Sequence, residues 1–175
     1  MSAKNYILKI CVVGDGGVGK TSMILSYSEK KFQERYIMTI GSNFALKKLT
    51  LDDGTTVKLQ IWDLAGQQHF SFVRPPFYRG ASGVLYVYDI TRRQSFDDLL
   101  SWKQEVETVV QKPFLVIGNK YDLQDERIIH IDEGKMLAEK MGALSYFETS
   151  AKTGENLDDA FLLLVTKILN YNNPP

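Results

Sequence analysis

Residues 14–21 read GDGGVGKT and follow directly on the apolar run YILKICVV (6–13). An unbroken apolar run of that length suits a strand covered on both faces. The glycine-rich turn then opens residues 19–29, which suit a helix. The stretch fits G-x-x-x-x-G-K-[ST] through Gly14, Gly19, Lys20 and Thr21. Glycines let the backbone wrap an anion, and successive N–H groups with the helix N-terminus supply positive potential. Lys20 can reach the β- and γ-phosphates of a nucleotide, and the Thr21 hydroxyl can ligate Mg²⁺. Residue frequencies give such a match by accident in about one chain in a hundred or fewer of this length. A phosphate site is predicted here, with Asp15, Gly16, Gly17, Val18 and Ser22 completing it.

Outward from this turn, strand-like and helix-like segments alternate along the chain. NFALKKLTL (43–51) and TTVKLQIWD (55–63) flank Asp53-Gly54, a hairpin signal. In the second, Val57, Leu59 and Ile61 alternate with Lys58, Gln60 and Trp62, so one face is expected to be wetter. GVLYVYDI (83–90) and FLVIGNK (114–120) are two more short apolar runs ending in polar residues. Phe96, Leu99, Leu100, Val106 and Val110 predict a helix over 95–110. A further helix opens at Ile131-Asp132-Glu133 and ends at Gly142, a suitable residue just past a C-terminus. After the strand SYFET (145–149), Asn156 is expected to cap a last helix through Leu169, with Leu157, Phe161, Leu164, Val165 and Ile168 on one face and Pro174-Pro175 ending it.

No repeat, low-complexity segment or flexible linker interrupts this order, so a single domain over 1–175 is expected. Strands interleaved with helices imply an α/β fold, a mainly parallel sheet with helices on both faces. Ligands of such sheets bind at the carboxyl ends of the strands, where the polar motifs fall.

One of these motifs can choose a base. In GNKYD (118–122), Asp122 can accept hydrogen bonds from the ring N–H and exocyclic amine of guanine. Adenine offers neither, and would leave a buried carboxylate unpaired at a cost of several kcal/mol. The Lys120 stem can lie over the ring, and Asn119 can tie this loop to the phosphate loop. TSAK (149–152) adds a second base-side loop of Ser150, Ala151 and Lys152, with a backbone N–H for the guanine oxygen.

Composition narrows the class. In 175 residues, 21 basic side chains balance 21 acidic ones, which gives no general attraction to nucleic acid or anionic lipid. The single cysteine, Cys11, cannot form an internal disulfide, favours a reducing, cytoplasmic setting, and reads as a small buried hydrophobe. No apolar run approaches the roughly 18 residues of a membrane span. The start has no cleavage site of a signal peptide, and the end, ILNYNNPP, has no cysteine for prenylation. No membrane anchor is visible in this chain.

GDGGVGKT, YIMTIG (36–41), WDLAGQ (62–67), NKYD (119–122) and ETSAK (148–152), in this order and spacing, resemble the Ras superfamily of small GTPases across nearly the whole chain. KLQIWDLAGQ, FYRG and VYDIT are most similar to Rab proteins. The resemblance implies a P-loop G domain with a six-stranded, mostly parallel sheet, one antiparallel edge strand and five helices. It also implies GTP and GDP binding with Mg²⁺. Thr39 would close over the metal and γ-phosphate, Asp63 would hold the metal through water, and the Gly66 amide would contact the γ-phosphate. Gln67 would orient the attacking water, Phe32 would pack on the guanine edge, and Tyr36 would cover the phosphates. Loss of the γ-phosphate would relax both switch loops, which are expected to meet effectors, an activating protein and an exchange factor. The chain is expected to act as a monomer, with slow turnover.

Four features depart from the resemblance. Gln68-His69-Phe70 stands where Rab-like chains carry Glu-Arg-Phe, which removes an acid that exchange factors use; His69 is not needed as a base, since Gln67 suffices. Pro75-Pro76 predicts an irregular second switch rather than a long helix. Arg35 precedes Thr39 by one residue too many to act as an arginine supplied in cis. Gly16 and Gly17 leave room for one supplied by a partner, whose absence costs roughly 4 to 7 kcal/mol in barrier. Fourth, the lipidated tail that the resemblance leads one to expect is not visible at this C-terminus, so membrane recycling is not inferred from this chain. The rival readings are a nucleotide-stabilised scaffold with negligible hydrolysis, against which Lys20, Thr39 and Gln67 argue, and a P-loop ATPase or kinase, against which Asp122 argues.

Overall fold

The computed structural model describes residues 4–32 and 38–172. The apolar runs become six strands: β1 (Asn5–Val13), β2 (Ser42–Thr50), β3 (Thr56–Leu64), β4 (Gly83–Asp89), β5 (Phe114–Asn119) and β6 (Tyr146–Thr149). They form one sheet in the order β2-β3-β1-β4-β5-β6. The edge strand β2 is antiparallel to β3, and the other four pairings are parallel. The β2–β3 turn forms at the expected place, where Asp53 accepts the Thr55 amide (2.9 Å) and Gly54 takes a positive φ.

Burial on both faces follows the two-residue strand period. Ile10 and Val12 of β1 join a core with α1 (Lys20–Glu29) and α6 (Leu157–Asn172), while Cys11 and Val13 join another with α4 (Leu99–Glu107) and α5 (Ile131–Met141). All five predicted apolar positions of α6 are buried, and on β3 Val57, Leu59 and Ile61 are buried while Lys58 is exposed.

Three expectations need correcting. The helix over 95–110 is two pieces, α3 (Arg93–Asp97) and α4, hinged at Asp98, so the described residues hold six α-helices rather than the five expected. Trp102 rather than Leu100 fills the α4 face. Asn156 precedes α6, but its side-chain amide donates to the Glu148 carbonyl (2.8 Å), tying the helix start to β6.

The second switch is irregular, as the two prolines predict. A 3₁₀ turn at Gln68–Phe70 is followed by turns and then by the short α2 (Pro75–Tyr78). The prolines open that helix rather than break it, because the first helical positions need no N–H donor. Arg74 and Pro75 are helical despite the steric bias that the proline after each imposes. Pro174 and Pro175 lie outside the described residues.

Candidate functional site

The carboxyl ends of β1, β3, β4, β5 and β6 converge on the turn between β1 and α1. Lys20 is buried at the start of α1, and its ammonium donates to the carbonyls of Gly14 (2.6 Å) and Asp15 (2.8 Å). Burial pushes it down to about 8, against the pull of Asp63 and Asp15, with Arg74 and Arg92 adding repulsion. A cation held this way, with no carboxylate bonded to it among the described residues, fits a polyphosphate. Gly19 has φ of 96°, and a Cβ there would collide with the Asn119 amide. A Cβ on Gly66 would strike the backbone of Gly14 to Gly16, so the second switch lies directly on the phosphate loop.

On the other side of Lys20, three oxygen-bearing side chains meet. Thr21 Oγ1 donates to Asp63 Oδ2 (2.5 Å) and lies 2.9 Å from Thr39 Oγ1, which donates to the same carboxylate oxygen (3.2 Å). Asp63 Oδ1 is buried without a hydrogen-bond partner among the described residues. Burial raises the Asp63 carboxyl, while Thr21, Lys20 and Thr39 pull it down. An under-satisfied carboxylate beside two hydroxyls is a hard-oxygen set that suits Mg²⁺ with water and phosphate as further ligands. Among the described residues no cluster of His, Cys, Asp and Glu offers a rival centre.

The base end is a cavity of about 470 Å³ whose lining includes Gly17, Ser22, Phe32, Lys120, Asp122 and Lys152. Asn119 at the end of β5 donates to the Val18 carbonyl (2.9 Å) and accepts from Thr149 (3.0 Å), joining phosphate loop and β6. Lys120 has a positive φ and pairs with buried Asp89 at the end of β4 (2.7 Å). Ser150 donates to Asp122 Oδ1 (2.6 Å), which orients the carboxylate along the cavity wall. Behind the loop, Glu148 takes both arms of Arg127 (each 2.6 Å) and the Tyr146 hydroxyl. Tyr36 and Arg35 lie outside the described residues.

A second cavity, about 390 Å³, opens at the far end of the phosphate loop between Gly16, Gly66, Gln67, Gln68, Arg92 and Asp98. Arg92, which the sequence reading overlooked, donates to the Gly16 carbonyl (2.7 Å). Its signal is its place just past the end of β4, where ligands of such sheets gather. Asp15 accepts from the Trp102 indole (2.8 Å); burial and the neighbouring Asp98 carboxyl raise its pKa, while that bond lowers it. Trp102 and Arg74 carried no local signal, since both come to the site only through tertiary packing.

These features define a P-loop guanine-nucleotide site with an oxygen-ligated metal position beside it. The family model described as the Ras family matches residues 9–170, and the chain belongs to that family. It is 41% identical over 172 residues to "GTP-binding protein ypt2" of Schizosaccharomyces pombe, covering 96% of this chain and 85% of the relative. It is 42% identical over 164 residues to "Ras-related protein Rab-1" of Theileria annulata (92% and 74% covered), and 38% identical over 168 residues to "Ras-related protein RIC1" of Oryza sativa subsp. japonica (95% and 82%). The chain is a Rab-like small GTPase that binds GTP and GDP with Mg²⁺. Proteins of this kind work with effectors, activating proteins and exchange factors. No helix among the described residues is long and apolar enough to cross a membrane.

Proposed function

We propose that residues 1–175 form one G domain acting as a timed, monomeric switch in trafficking or signalling, in which each step falls to a definable residue. Asp122 reads guanine, Asn119 couples the base loop to the phosphate loop, and Lys120 with Phe32 sandwiches the ring. The Ser150–Lys152 loop closes over the base. The amides of residues 15–19, with Lys20, cradle the phosphates. Thr21 and Thr39 hold Mg²⁺ directly and Asp63 holds it through water. Bound metal neutralises charge on the β- and γ-phosphates. Gly66 offers its amide to the γ-phosphate, Gln67 directs the attacking water, and Tyr36 covers the phosphates.

The observation that carries this reading is the Thr21–Thr39–Asp63 cluster. Thr39 belongs to the first switch and the other two to the rigid sheet side, so the cluster joins a loop to the site through contacts a metal and γ-phosphate can take over. Exposed Ile40 and Phe44, with Phe44 stacked on Trp62 (5.3 Å) and Trp62 against Phe77 (5.7 Å), support effector docking beside the switches. The lone buried Cys11 supports a reducing, cytoplasmic setting. The scaffold alternative is not favoured, because Lys20, Thr39 and Gln67 are all retained.

Single-turnover hydrolysis of γ-labelled GTP, in wild type and Gln67→Leu with Mg²⁺, tests the reading. Slow release that falls further in the variant is expected. Tight GTP binding without release from either protein overturns it in favour of the scaffold.

A further inference from the structure

Arg74 heads the fully buried side chains in size among the described residues. Burying a guanidinium is costly unless its donors are paired. Here Nε and Nη2 grip both carboxylate oxygens of Glu105 (2.8 and 2.7 Å). Nη1 donates to the Ala65 carbonyl (3.0 Å) and the Gln67 carbonyl (2.9 Å). The Tyr78 hydroxyl braces Glu105 (2.6 Å), and the guanidinium lies 4.3 Å over the Trp102 ring, whose N–H holds Asp15 of the phosphate loop. Burial alone would lower the pKa of Arg74, but Glu105 more than reverses this, so it stays charged. Its backbone is α-helical immediately before Pro75, a conformation that a following proline disfavours. These bonds offset that cost.

The two clamped carbonyls flank Gly66, the residue packed against the phosphate loop. They also fix the backbone from which the Gln67 side chain departs. Lysine cannot replace this grip, because one ammonium has no planar fork to span a carboxylate and two carbonyls at once.

We propose that Arg74 is a positioning residue for GTP hydrolysis: its guanidinium holds the backbone on both sides of Gly66, aims Gln67, and registers both to the phosphate loop through Trp102 and Asp15. This rests on the hydrolysis reading above. It gives the irregular second switch a purpose, since Pro75 and Pro76 stiffen the chain just after the clamp.

The test is single-turnover GTP hydrolysis and GDP affinity in Arg74→Lys, Gln67→Leu and the double variant. Arg74→Lys is expected to slow hydrolysis by roughly ten- to a hundredfold, as misplacement of a catalytic group does. Its GDP affinity is expected to stay within about threefold, since the base end is untouched. Adding it to Gln67→Leu is expected to cost clearly less than it does in the wild type, because the two share the Gln67 side chain and only the hold on Gly66 is left to lose. Should Arg74→Lys not fold, Arg74→Met with Glu105→Leu replaces the buried pair by apolar volume and carries the same three readings. Hydrolysis at the wild-type rate, a fully additive double variant, or an equal loss of GDP affinity overturns the inference alone. No turnover in the wild type overturns the hydrolysis reading, and this inference with it.

Discussion

At the base end of the cleft, Asn119, Lys120, Asp122 and Ser150 are bonded to strand ends or to loops leaving them, so they cannot shift without disturbing the sheet. At the phosphate end, Thr21, Thr39 and Asp63 are bonded mainly to one another, and the backbone at Gly66 is held from behind by Arg74. One end is preorganised and its ordering cost falls on folding. The other is satisfied by contacts that a metal and a γ-phosphate can replace. Such a division lets one protein hold GDP and GTP alike by the base yet answer to one phosphate more or less.

The sharpest way to break this comparison is Asp122→Asn. The amide keeps the Ser150 bond but offers guanine a donor where it needs an acceptor. GDP affinity is expected to fall on the order of 10³-fold or more, and affinity for xanthosine diphosphate to rise, in nucleotide competition. Undiminished preference for guanine would remove Asp122 from base reading.

Gly66→Ala acts at the other end. Its Cβ collides with the phosphate-loop backbone, so the second switch must lift. Hydrolysis is expected to drop by about a hundredfold while GDP affinity, set by the base end, changes little. A parallel loss of GDP binding would show that the two ends are not separable.

Arg92→Ala removes one bond to Gly16. A hydrogen bond from a charged group is worth about 1.5 to 3 kcal/mol, but Arg92 lies on a partly open cavity, so hydrolysis is expected to fall only severalfold. A change exceeding that of Gly66→Ala would make Arg92 the principal cation of the site.

The smallest functional effect belongs to Cys11, buried in the sheet with its thiol donating to the Phe77 carbonyl. Burial raises its thiol to about 11. Between the ordinary thiol pKa near 9 and 11 the unfolded chain releases a proton the native state keeps, so stability falls as pH rises through that window, by roughly 2 to 3 kcal/mol in all. Alkylation by iodoacetamide at pH 8 is expected only on unfolding. Rapid labelling of the native, GDP-bound protein would contradict this burial.

Much of the base end was legible because its residues come from contiguous motifs at strand ends. Asn119, Lys120 and Asp122 are fixed by the register of β5, and Gly142 by its place after a helix. Asp98 was not legible as a hinge, since Phe96, Leu99 and Val106 keep one helical spacing across it. Nor was Leu100, which shares that spacing yet is exposed because the face of α4 turned to the sheet runs through Leu99, Trp102 and Val106.

From the sequence alone followed the alternation of strands and helices, the glycine-rich turn between β1 and α1, a carboxylate, Asp122, on the wall of the base-end cavity and the irregular second switch, because each is set by periodicity, glycine, proline or a short run of neighbours. Only the tertiary structure decided that Arg74 is buried, that Glu105 and Trp102 receive it, and that Arg92 reaches Gly16. These partners lie 31, 28 and 76 residues apart in the chain, and no local pattern encodes which long side chains will meet once the sheet has brought its carboxyl ends together.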